Sequence, residues 1–88
     1  MPKPFYLYII GPAHGLQNIG KARYVDMVLA DLQAKNSRPL IIHFKEVSAR
    51  PRRVLWKVHW ALRSCRQAGD WFDVSPARAI HEVKGRLQ

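Results

Sequence analysis

Apolar residues between Phe5 and Val47 change period twice. Phe5 to Ile10 (FYLYII) is an unbroken aromatic and β-branched run, which predicts a strand. Leu16 to Ile19 predicts a short hairpin partner, joined to the first strand by a loop holding Pro12 and Gly15. From Tyr24 to Lys35 the period lengthens. Val25, Val28, Leu29 and Leu32 recur at helical spacing with Asp26 and Asp31 turned to water, and Asn36-Ser37 with Pro39 beyond mark the end. Leu40 to Val47 (LIIHFKEV) returns to strand character. Its first half is apolar on both faces, which predicts a place in the middle of a sheet.

A second helix is predicted to start at Ser48-Ala49-Arg50-Pro51, with Pro51 in the first turn, where its missing N–H costs nothing. It is expected to run to about Gln67 and stop near Gly69. Its inner stripe is Val54, Leu55, Val58, Ala61, Leu62 and Cys65. Asp70 to Val74 reads as an extended link. Ser75-Pro76 then caps a last helix with Ile80, Val83 and Leu87 on its buried side. The order β-β-α-β-α-α predicts an α+β fold, a three-stranded antiparallel sheet with helices packed on it, in one domain spanning residues 1–88.

Charge adds a constraint. Fifteen Lys and Arg stand against six Asp and Glu, a formal net charge of +9, which invites a polyanion or an acidic protein surface. Lys45, Arg50, Arg52, Arg53, Lys57, Arg63 and Arg66 fall in one segment that holds a single acid, Glu46. Cys65 is alone, so no intramolecular disulfide forms. With no signal-peptide pattern at Met1-Pro2-Lys3-Pro4, a cytoplasmic location is expected. The run Phe5 to Ile10 is too short to span a membrane. His14, His43, His59 and His81 show no zinc spacing with a cysteine or carboxylate, so no metal site is expected.

On the second helix, taking Val58 as the centre of the inner stripe, Trp56 and Trp60 fall about 160° away, on the back of the helix. Arg52, Arg53 and Arg63 flank them. Either another element covers these indoles or they form an interface, with a protein, a second copy of the chain or a nucleic acid. Lys21, Arg23 and Lys35 flank the hairpin and first helix and, with Arg50, Arg52 and Arg53, are candidate nucleic-acid contacts.

Several pieces, in order, resemble the GIY-YIG nuclease superfamily, and more narrowly its compact phage and bacterial branch. They are Leu7-Tyr8-Ile9-Ile10, Asn18-Ile19-Gly20, Leu29 with Leu32-Gln33, Asn36, Pro39-Leu40, Val58-His59 and Gly69-Asp70-Trp71-Phe72. The resemblance implies a phosphodiesterase using one divalent cation, with a tyrosine acting on the water, an arginine on the first helix and a metal-holding glutamate on the second. Tyr8 and His59 match family positions. Asn18 stands at the second tyrosine. Met27 and Val28 stand at the arginine, and Leu55 at the glutamate. Apolar side chains cannot hold Mg²⁺ or a phosphate oxygen. A relocated site would have to use residues such as Arg23 and Glu46.

The resulting expectation is a catalytically silent GIY-YIG-like domain that binds DNA or RNA through a basic groove and needs no cofactor. Two alternatives stand beside it. One is a phage-type inhibitor or protein-binding module, for example anti-CRISPR or anti-restriction, acting on a host protein or nucleoprotein complex through Trp56, Trp60 and Arg63. The other is a Mg²⁺-dependent endonuclease with a rearranged site.

Overall fold

The computed structural model describes residues 3–87. Three α-helices and a 3-10 turn pack on a five-stranded antiparallel sheet. The strands are β1 (Tyr6–Gly11), β2 (Gln17–Ala22), β3 (Ile41–Val47), β4 (Arg66–Ala68) and β5 (Trp71–Phe72), in the order β3-β1-β2-β5-β4. The helices are α1 (Val25–Ala34), α2 (Pro51–Ala61) and α3 (Pro76–Lys84). No helix among the described residues is long and apolar enough to cross a membrane.

The three-stranded expectation is therefore corrected. The predicted second helix ends at Ala61 instead of near Gln67. A 3-10 turn, Arg63–Cys65, follows, and the chain then enters β4. Gly69, at φ +56, supplies the left-handed backbone that turns β4 into β5. The Asp73 amide donates to the Cys65 carbonyl at 2.7 Å, so residues expected in the helix are used to close this hairpin. Strands of three and two residues are too short to leave a period in the sequence.

A second correction concerns β3, which lies at the sheet edge and not in its middle. Its doubly apolar start is only partly buried: Leu40 and Ile42 pack in the α1 core, whereas Ile41 between them stays 48% exposed. Helices cover both faces of the sheet. Residues Leu7, Ile9, Ile19 and Phe72 face α2 and α3 with Val54, Val58, Leu62, Ala79 and Val83. On the opposite face Tyr8, Ile10 and Leu40 meet Val25, Val28, Leu29 and Leu32 of α1. Strand β1 contributes alternate residues to both cores, as a period of two requires.

Local chemistry fixes the ends. Ser75 Oγ accepts from the Arg78 amide at 3.1 Å, capping α3 with Pro76 at its first position. Gln17, fully buried, donates from Nε2 to the carbonyls of Pro12 (3.0 Å) and Gly15 (3.2 Å) and so ties the β1–β2 loop to its own strand. The register of β1 against β3 slips between Ile9 and Ile10, leaving His43 without a partner residue. Its Nε2 lies 3.2 Å from the Gly11 carbonyl and 3.0 Å from that of Pro12.

Candidate nucleic-acid interface

Tyr8 and His59, the two residues that the resemblance singled out, lie on opposite faces of the sheet. Tyr8 is in the α1 core and donates from its hydroxyl to Asn18 Oδ1 at 3.0 Å. Burial, with the Asp70 charge adding to it, pushes the Tyr8 phenol up to about 12. At neutral pH that hydroxyl stays protonated and committed to Asn18, which is unsuited to taking a proton from water. Gly20 leaves room for the ring: a Cβ there would lie 2.6 Å from the Tyr8 hydroxyl oxygen.

His59 is on the α2 side. Its Nε2 is 2.8 Å from the Ile19 carbonyl, and its ring tilts against Phe72 at 4.8 Å between centroids. A neutral or charged ring with N–H at Nε2 makes this a helix-to-sheet tie. Both residues thus have structural partners, and the sheet separates them. Val28 packs in the Tyr8 core and Leu55 against the other, so the positions matched to the arginine and glutamate serve packing. Arg23 lies over the Phe5 ring at 4.3 Å and donates to the Lys3 carbonyl, and Glu46 is exposed on edge strand β3. Among the described residues no three His, Cys, Asp or Glu side chains come together.

The cations divide into groups. Lys21 and Arg23 both stand over Phe5, at 4.6 and 4.3 Å. Lys35 follows the far end of α1, which runs from the end of β2 toward the β1–β2 loop; there Arg38 donates to the His14 carbonyl. Lys35 is therefore not grouped with Lys21 and Arg23. Arg50, Arg52 and Arg53 gather at the start of α2, all exposed. The Ser48 amide donates to the Phe5 carbonyl, which places this start at the same end of the sheet as Phe5.

Trp56 and Trp60 are the exposed features of α2, with 65% and 57% of their surface accessible. Among the described residues no element covers them: α3 packs beside α2 on the sheet, so of the two alternatives the covered one does not hold. The indoles are parallel within 5° at 6.2 Å between centroids, as neighbours one turn apart allow. The Arg63 guanidinium lies 4.0 Å from the Trp60 centroid, held by a hydrogen bond to the Trp60 carbonyl at 2.8 Å. A shallow cavity of about 310 Å³ lies against this row, lined by Trp56, His59, Trp60, Arg63 and Arg66.

Arg66 is the residue that the sequence reading left out of this site. A helix running to Gln67 would have carried it elsewhere, but β4 pairs it with Phe72 and so sets it on the α2 side. It donates to the Gly69 carbonyl at 2.6 Å and reaches Asp70 at 4.0 Å. The assembled surface is a stacked aromatic row ending in an arginine, bordered by a β-hairpin arginine and by the cations of the helix start. Searches against protein-family models, curated proteins and solved structures find no match.

Proposed function

We propose that this domain binds single-stranded nucleic acid along the outer face of α2 and does not cleave it. The observation that carries the reading is the pair of exposed, parallel indoles with Arg63 over one of them. Every base has a π-face, and stacking on an aromatic contributes about 1–3 kcal/mol per base without sequence preference. Arg52, Arg53, Lys57 and Arg66 lie near the row to take phosphates. The exposed neighbours of the indoles on α2 are all cations, Arg52, Arg53, Lys57 and Arg63, which match a polyanion along the row.

The same reading treats the chain as a GIY-YIG-like scaffold whose chemistry has lapsed. Tyr8 is held as a hydrogen-bond donor on one face, and His59 as a tie on the other. Val28 and Leu55 fill cores. In this view β1, β2 and the helices persist because packing requires them, and the added β4–β5 hairpin supplies Arg66.

Titration of fluorescent single- and double-stranded DNA and RNA, with Mg²⁺ or Mn²⁺ and with EDTA, tests the proposal. Single strands should bind tightest, with affinity falling steeply as salt rises and the oligonucleotide left intact. EDTA-sensitive cleavage would overturn the silent assignment. No binding at low salt would overturn nucleic-acid recognition and turn the Trp56/Trp60 face to a protein partner or a second copy of the chain.

A further inference from the structure

On the side of α2 away from the hairpin, a cavity of about 330 Å³ opens between the start of α2 and the end of α3. Its walls are Ala49, Val54 and Leu87; its cations are Arg50, Arg53, Lys57 and Arg86. Among the described residues no carboxylate lines it. Arg86 is committed on one nitrogen to Glu82, at 2.7 Å from Oε2 and 3.1 Å from the carbonyl, which holds its guanidinium in place. Arg50, Arg53 and Lys57 form no ion pair among the described residues, where the pairs are Arg66–Asp70 and Arg86–Glu82. Arg53 and Lys57 are one turn apart, so their charges reach the same opening.

From these residues we infer that the cavity receives the terminal phosphate monoester of a bound nucleic-acid strand. The inference rests on the nucleic-acid reading above and names the strand feature that the domain would select. A phosphodiester in the chain carries one negative charge. A terminal monoester carries close to two at neutral pH and has three oxygens free to accept. Three uncompensated cations with a fourth fixed by its own carboxylate match the doubly charged group better than the singly charged one. The apolar wall of Ala49, Val54 and Leu87 suits the sugar or base of the terminal nucleotide. Arg53 and Lys57 follow Arg52 and Trp56 in sequence, each about 100° around the helix from its neighbour. A strand stacked on the indoles therefore has its end within reach of the cavity.

Three otherwise identical oligothymidylates of about twelve nucleotides would be compared by fluorescence anisotropy at about 0.1 M salt. One ends in 5′-phosphate, one in 3′-phosphate and one in hydroxyls at both ends, with the dye at mid-strand. One phosphorylated form should bind about two- to fivefold more tightly than the hydroxyl form, the gain typical of charge pairs at an exposed site. In R53A/K57A that preference should vanish: all three strands should bind alike, more weakly than to the unsubstituted domain because two phosphate contacts are gone, with the remaining affinity carried by the indoles. In W56A/W60A all three should weaken and the preference persist. Equal affinity for all three strands overturns the terminal-phosphate site and leaves the nucleic-acid reading standing. Absence of binding by every strand overturns both. A preference that survives in R53A/K57A, with circular dichroism showing that variant folded, overturns the assignment to this cavity.

Discussion

On the inner face of α2 and its cap, Val54, Val58 and Leu62 keep 4% or less of their surface exposed, while on the back of the same helix Trp56 and Trp60 keep more than half. Both faces are rich in apolar area. The inner one is matched by Leu7, Ile9, Ile19 and Phe72 of the sheet, and its contribution is to stability. The outer one is matched by nothing among the described residues, and large apolar area left in water without an intramolecular partner is area available to a ligand. The contrast teaches that hydrophobicity alone does not separate core from interface. What separates them is whether the tertiary structure supplies a counterpart.

Substitutions at the two faces should separate stability from binding. Phe72→Ala, which empties a fully buried site beneath His59, should lower unfolding free energy by about 3–5 kcal/mol in urea titrations. If Phe72→Ala costs less than 1 kcal/mol, the inner face is not the core it is taken to be. Trp56→Ala or Trp60→Ala should each weaken single-strand binding by about tenfold or more, the share expected of one stacked base. Each should shift stability by no more than about 0.5 kcal/mol. Loss of stability without loss of affinity would reverse the roles of the two faces.

The opposite side of the sheet offers finer tests. Gly20→Ala drives a methyl group into the Tyr8 hydroxyl and should destabilise by about 1–3 kcal/mol, with single-strand binding to the distant α2 face unchanged. The smallest effect is expected from Tyr8→Phe, which removes the donor to buried Asn18 and should cost about 1 kcal/mol at neutral pH. Its pH dependence has a definite sign. The folded phenol is raised from 10.0 to about 12, so the folded state holds its proton more tightly than the unfolded chain. The stability from this difference is fully present below about pH 10 and is lost as pH rises toward about 12. Tyr8→Phe should lack that decline, so the two stability profiles should converge in strong alkali. Parallel profiles would show that the phenol is not held as the geometry implies.

Much of the fold was legible because it is written in short-range patterns. Predicted and observed limits of β1, α1 and β3 differ by about one residue, within the usual spread of element boundaries. The Ser75 cap was visible as a residue pair whose chemistry is local. The β4–β5 hairpin was not legible, since Arg66 to Ala68 continues a plausible helix and only pairing with Trp71 and Phe72 draws it out. The candidate site was legible in part. Trp56, Trp60 and Arg63 stood out by their positions around α2, but Arg66 entered with the unforeseen strand. The tie from His59 to Ile19 spans 40 residues and leaves no local mark.

The amino-acid sequence by itself determined the helical and strand periods, the excess of cations and the apolar character of positions 28 and 55. These follow from residue type and spacing along the chain. Tertiary structure decided which apolar stripes found partners, which edge β3 occupied and that Tyr8 and His59 stand on opposite faces. It also decided that two indoles remained in water beside arginines drawn from separate elements. Such facts depend on which surfaces meet when the chain closes, and burial is settled by contacts between residues far apart in sequence.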